Sequence, residues 1–517
     1  MAFPVLHFMW ERPRDFVEGR EFMNSSSKSA ARKYLNHLAC ALQVVLEFPY
    51  DYDYFHTLPG CETLSEQVNF QLNSAIALGE DDLFLKLEEL TAQINILETR
   101  ERFWLAREIA IWLDHHMTYE PTLDQHCYSV NSILPISTEP ITIIGSLNNN
   151  DEETGICIAP YFRATDLHSR FNVDVLHRSF NRDVLFSANR ELSNCRFYPK
   201  KKDTAITHCI CSSQQFGSSH PGIFRVGFIP ITDIPDLLTF NETVVDKDGG
   251  PAKERIFGEP RNPQIIETRL RNTLKAIAEM DLDLDLVYCP EMLGTKNMYE
   301  IDEDGILPYI DAIANECSSY NGILPRIIVL PSHTQDGNNI CYITNGEGLY
   351  LGSQKKHKSY VDRREHYREA LQEKNITQVS VIHIPGKERI VIMLCADFLE
   401  TDPESDIHRI VFKHLNPSLV IVPSYTMGEE DFVSALPSIR QYGSSGIWGT
   451  CCGSLKTTKP YIGAASIIGT KAIPKMGNAC RCGNACGKND VCLFYIDLPL
   501  DVYMGQEEEL QFHHITA

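Results

Sequence analysis

Between Ser25 and about Met117, apolar residues return every three or four positions. Ala31, Tyr34, Leu35, Leu38, Leu42, Val45 and Leu46 fall on one side of a 3.6-residue repeat, which predicts an amphipathic helix capped by the serines at 25–27. The aromatic and acidic run at 49–55, then Pro59 and Gly60, break it. A second helix is expected over Leu64–Leu78. A third starts near Asp81 and Asp82 and carries Phe84, Leu87, Thr91, Ile94 and Leu97 along one stripe; a fourth covers Glu101–His116. Helices joined by short breaks predict a mostly helical N-terminal domain, a small bundle or docking module, over residues 1–120.

The pattern then changes. Residues 121–222 mix strand-like pieces, Pro140–Gly145 and Gly155–Ile158, with a polar run at 148–153 that reads as an exposed loop. No function follows from this connecting region. From Phe224 onward, short β-branched runs alternate with helical ones. The strand-like runs are Phe224–Ile231, Arg326–Leu330, Val379–Ile382, Ile390–Leu394 and Leu419–Val422. Ile266, Leu270, Leu274 and Ile277 mark a helix between the first two, and the polar stretch Leu237–Pro263 reads as an insertion or lid. Such alternation predicts a layered α/β domain over 223–517.

Composition adds little to the fold and more to the function. The 517 residues allow two or three domains, and a 43% hydrophobic content is that of an ordinary soluble protein. A net charge of −22 argues against nucleic acid as a partner, and Lys200–Lys202 reads as a solvated loop. No run approaches the ~18 apolar residues of a membrane span, and no charged leader precedes an apolar segment. Seventeen cysteines without such a leader do not read as a disulfide framework. A cytoplasmic setting is expected.

Three strand exits carry reactive groups. The run Ile390–Leu394 ends at Cys395, and Ala396 and Asp397 turn the chain away. The run from Asp283 ends at Pro290 and Glu291, and a short apolar piece at 348–351 leads into Lys355, Lys356, His357 and Lys358. Taken alone, Cys395 reads as a buried structural cysteine and the lysines as a solvated turn. In this order, however, Pro290-Glu291, Lys355-Lys356-His357 and Cys395-Ala396-Asp397 resemble the motifs of the nitrilase, or carbon–nitrogen hydrolase, superfamily. Leu419–Ser424, Ile439 and Arg440 through Ser454, Ile462–Ile468 and Phe494–Leu498 are similar to that family's later elements. The resemblance covers the chain from about residue 224.

That resemblance implies an α-β-β-α sandwich that associates into homo-oligomers. It also implies hydrolysis of a small amide, nitrile or carbamoyl compound through a covalent Cys395 thioester. Glu291 would be the general base. Lys355 and the backbone N–H of Ala396 would hold the oxyanion, with no cofactor required. Lys356 and Lys358 compete with Lys355 for that role. A second glutamate assists in many family members; Glu365 and Glu369 lie in the right stretch, on an expected helix. Phe398 and the residues after it depart from the family's usual continuation, so pocket shape does not transfer. Acyl transfer to an amine would use the same residues. The alternative is a nitrilase-like assembly or sensing module without turnover. It would dock a protein partner through its N-terminal helices, as in a bacterial antiviral system with a reverse transcriptase on a separate chain.

Four cysteines, Cys480, Cys482, Cys486 and Cys492, fall within thirteen positions in an insertion at 476–492. They could hold a structural zinc tetrahedrally, stay reduced, or pair as a disulfide. Asp114, His115 and His116, with Asp124, His126 and Cys127, have ligand types without metal-binding spacing and read as a surface loop. The run His208–Cys211 fits an ordinary strand as well as half a metal site.

Overall fold

The structure is a computed structural model that describes residues 61–116 and, with interruptions, 222–500 and 510–516. Before 222 it also describes most of 37–45, then 134–136, 141–143, 156–160, 192, 195–199 and 204–210.

The N-terminal helices form where the periodicity places them, over Cys61–Leu78, Glu80–Ile94 and Thr99–His116, and the described residues of 37–45 are helical as well. Their apolar faces meet in one core containing Leu38, Leu42, Leu72, Leu87, Ile94, Ile109 and Leu113. On Glu80–Ile94 the buried stripe is Leu83, Leu87, Leu90 and Ile94, with Phe84 only partly covered, as is Leu97 beyond its end. Two polar links pin the helices: Trp112 Nε1 donates to Asn73 Oδ1 at 3.0 Å and Ser65 Oγ to Glu108 Oε2 at 2.5 Å. Asp114 to His116 lie on the last helix rather than in a loop, and Asp114 is fully buried. Asp124, His126 and Cys127 lie outside the described residues. Among the described residues no helix is long and apolar enough to cross a membrane.

Two large sheets follow. The first runs in the order Leu134–Ile136, Thr204–Ile210, Thr377–Ile384, Glu388–Ile392, Leu419–Ser424, Ser445–Thr450, Tyr461–Ser466 and Lys475–Gly477. The second runs His333–Gln335, Asn338–Asn345, Ile327–Val329, Leu286–Tyr288, Ile223–Phe228, Cys492–Pro499 and His513–Thr516, with Tyr350–Lys355 also paired to Asn338–Asn345. The division drawn at 222 does not coincide with an edge of the first sheet. The strand Thr204–Ile210 pairs in parallel with Thr377–Ile384 along its whole length, and this settles His208–Ile210 as strand.

One apolar cluster takes Phe224, Val226, Phe228, Leu286 and Tyr288 from the second sheet and Ile382, Ile390, Ile392, Leu419 and Ile421 from the first. The sheets therefore face each other. At Gly449 a Cβ would lie 2.8 Å from the Phe228 ring, so only glycine admits that ring between the sheets. On its other side, the second sheet packs Val287 and Ile328 against the helices Pro263–Glu279 and Pro308–Ser318. The first sheet likewise packs Val391, Val420 and Val422 against Phe412, Phe432 and Leu436.

The polar stretch after Leu237 forms a hairpin, Phe240–Val244 with Lys253–Phe257. Lys253–Phe257 pairs in parallel with Tyr367–Glu369, which pairs in turn with Val361–Asp362. Glu369 thus sits on a strand of a small third sheet, not on a helix; Glu365 lies outside the described residues.

Candidate active site

Glu291, Lys356 and Cys395 each follow the end of a strand, where the ladder stops and the backbone can turn a side chain off the sheet. The strand Leu286–Tyr288 ends with Cys289 N–H on Val329 O at 3.1 Å. Glu291 N–H then reaches Ser424 O, at the exit of a first-sheet strand, at 3.4 Å. Met292 takes φ 64° and donates its N–H to Ser332 Oγ at 2.8 Å, which completes the turn around Glu291. The Glu291 side chain is held between the ends of the two sheets and is only 1% exposed.

Cys395 follows the strand Glu388–Ile392 and opens a 3₁₀ turn, Cys395–Asp397. Its φ of 47° is left-handed, which costs a residue with a Cβ roughly 1–2 kcal/mol. Backbone strain of this kind persists only where the surroundings impose it. Cys395 is 3% exposed, and its thiol adjoins the Glu291 carboxyl. Ala396 is half-buried beside it.

The strand Tyr350–Lys355 decides which lysine arrives. Side chains alternate along a strand, and here Gln354 and Lys356 point inward while Lys355 points away and is half-exposed. Lys356, not Lys355, reaches the carboxylates: its Nζ lies 2.7 Å from Glu291 Oε1 and 2.6 Å from Glu369 Oε2, with every side chain at most 2% exposed. Lys355, expected to hold the oxyanion, does not enter the cluster. Lys358 is exposed. Lys356 N–H also donates to Asn339 O at 2.8 Å.

Asp397 ties this turn to the thiol. Its carboxylate accepts His357 N–H at 3.0 and 3.2 Å and Lys358 N–H at 2.6 Å, so the basic turn and the cysteine turn share one anchor. Burial pushes the Asp397 carboxyl up to about 7 against the pull of those two donors. Glu369 accepts Tyr360 N–H at 3.0 Å in addition to Lys356. Tyr425 N–H approaches Glu291 Oε2 at 3.3 Å.

Burial and neighbouring charge set the protonation states. Burial raises the Cys395 thiol well above its ordinary range, and Glu291 raises it further. The thiol is therefore protonated at neutral pH. Burial also raises Glu291, partly offset by Lys356, while Glu369 adds to the rise. Burial disfavours the Lys356 ammonium, but the two carboxylates outweigh that and hold it charged. The arrangement is a carboxylate against a thiol, with a fixed cation beside both.

Cys480, Cys482 and Cys486 lie outside the described residues. Cys492 opens the strand Cys492–Pro499, and its Sγ lies 3.5 Å from His514 Nε2. Among the described residues no three or more His, Cys, Asp or Glu side chains form a metal-binding group.

No family profile matches the chain, and no curated protein matches it. Among solved structures, an amidase from Nesterenkonia sp. matches over 56% of this chain and 95% of its own, at 15% identity and a TM-score of 0.34. A cysteine-to-alanine mutant of the Nesterenkonia AN1 amidase, from the nitrilase superfamily, matches over 56% and 96%, at 14% identity and a TM-score of 0.32. Another mutant of that amidase carries the acetamide moiety of fluoroacetamide on its active site cysteine. It matches over 56% and 96%, at 13% identity and a TM-score of 0.32.

Proposed function

We propose that this chain hydrolyses a non-peptide carbon–nitrogen bond through a covalent Cys395 thioester, in the manner of nitrilase-superfamily amidases and on their α-β-β-α sandwich. The observation that carries the reading is the single buried cluster in which Lys356 Nζ bridges Glu291 and Glu369 while the Cys395 thiol sits on Glu291. Burying two carboxylates with one ammonium is costly, and a fold gains little stability from it. Chemistry is the better reason for the cluster. Strongly perturbed ionisable groups beside a nucleophile are the pattern of a catalytic site.

In this reading Glu291 takes the thiol proton as Sγ attacks the carbonyl carbon, and the C=O electron pair moves onto oxygen. The Lys356 ammonium and the Ala396 N–H face that oxyanion, and losing one such donor typically costs about 10²–10³ in rate. The tetrahedral species collapses, the C–N bond breaks, and the leaving nitrogen takes the proton from Glu291. Water, deprotonated by Glu291, then attacks the thioester, and the released sulfur regains its proton. Lys356 thus takes the part that the sequence motif assigned to Lys355. Glu369 keeps Lys356 charged.

The test is ammonia release from a panel of small amides and nitriles. Wild-type protein is expected to turn over at least one of them and Cys395→Ala none, with folding unchanged. Equal release by both proteins would sink the reading.

The zinc expectation is a separate proposal. A zinc on Cys480, Cys482, Cys486 and Cys492 would be structural, close to His514. Metal analysis of the purified full chain is expected to find one zinc per chain, lost in a Cys480→Ser, Cys482→Ser double variant. A metal-free wild-type chain that folds normally would dispose of it.

A further inference from the structure

The strand Asn338–Asn345 brings Asn339 to the centre of the cluster, where it is 1% exposed. Its Nδ2 donates to Glu291 Oε1 at 2.8 Å and to Glu369 Oε1 at 3.4 Å. Carboxylates only accept, so these two bonds orient the amide with both N–H groups toward the glutamates. Its Oδ1 is then left buried, with no hydrogen-bond donor among the described residues. An acceptor withdrawn from water without a donor is costly, and natural proteins rarely leave one without a reason. Here it belongs to the residue that clamps the base.

We propose that Asn339 orients the substrate, its Oδ1 accepting an N–H of the bond to be cleaved, and that the site thereby selects amides carrying an N–H over nitriles and esters. The inference rests on the thiol-hydrolase reading above and adds a substrate class to it. Chemistry places the nitrogen here. Glu291 must hand its proton to the leaving nitrogen, so that nitrogen comes within a hydrogen bond of Glu291, where Asn339 already is. An amide N–H supplies the donor that Oδ1 lacks. A nitrile or an ester has none to give. A site built around such a bond discriminates strongly against analogues that leave its polar atom unpaired.

The test uses the full chain and two thiol-reactive probes of similar size, acrylamide and methyl acrylate; only the first carries N–H groups. Labelling rates of Cys395 are read by peptide mass spectrometry and expressed as the acrylamide to methyl acrylate ratio, divided by the same ratio for free cysteine. Both reagents meet the same thiol, so the ratio cancels any change in its ionisation. Wild-type protein is expected to favour acrylamide by about tenfold, the size of one ordinary hydrogen bond. Asn339→Leu, similar in shape but without the acceptor, is expected to bring the normalised ratio to one. Asn339→Ala serves if the leucine variant does not fold. A ratio unchanged in the variant overturns the proposal and leaves a trapped water as the partner of Oδ1. Failure of both probes to label wild-type Cys395 sinks the thiol reading itself, a different result that removes this proposal with it.

Discussion

Lys356→Met is expected to abolish turnover and to cost about 3–5 kcal/mol of stability, the penalty for breaking a buried ion pair by removing one partner. Lys355→Met should do neither. Without the ammonium, Glu291 and Glu369 are left buried beside each other, 2.8 and 3.4 Å from one shared Asn339 nitrogen, and at least one must take up a proton. The base is lost together with the cation. Chemical denaturation of the two variants alongside ammonia release separates them. A Lys355 variant as damaged as the Lys356 variant would show that the strand register drawn here is wrong.

Glu291→Gln is expected to lower turnover by about 10²–10⁴, the usual contribution of a positioned general base. Its pH dependence is the sharper measurement. In the wild type the base works only when ionised, and burial holds its carboxyl above the ordinary carboxylate range. Activity should therefore fall as pH drops through that raised value, on an acid limb higher than an exposed glutamate would give. In the variant this limb disappears. The residual rate should climb with pH across the neutral range, because a thiol that burial holds far above its usual range must ionise unaided. A variant that keeps the wild-type acid limb would mean that Glu291 is not the base.

The N-terminal helices and the strands ending at Glu291 and Cys395 were legible in the sequence because each is a local pattern, period 3.6 or a compact β-branched run. The order Glu, Lys, Cys was legible as well. The lysine register was not. Lys355, Lys356 and Lys358 carry no hydrophobic alternation of their own, and only the pairing of Ile340 with Lys355 fixes which side faces in. Glu369 was named as one of two candidates for a second glutamate, but its strand escaped, because it is three residues long and is stabilised by a hairpin more than a hundred residues earlier in the chain. Asn339 offered one faint signal: it shares its parity with Cys341 and Ile343, both buried in the core between the sheets. A polar residue at a core parity is worth noting.

The strand Thr204–Ile210 bears on how the chain can be divided. It lies inside the first sheet, between Leu134–Ile136 and Thr377–Ile384, two strands from the one that carries Cys395. A shortened chain starting at residue 223 would retain every reactive side chain named here, yet bare the flank of Thr377–Ile384. Val379, Val381 and Ile382 there are fully buried, and the flank would become a row of unpaired N–H and C=O groups beside apolar side chains. Such an open edge is a template for pairing with other chains. The half of the protein that holds the Glu291–Lys356–Cys395 cluster is therefore not self-sufficient, and its solubility depends on a segment that the motifs of that cluster give no reason to keep.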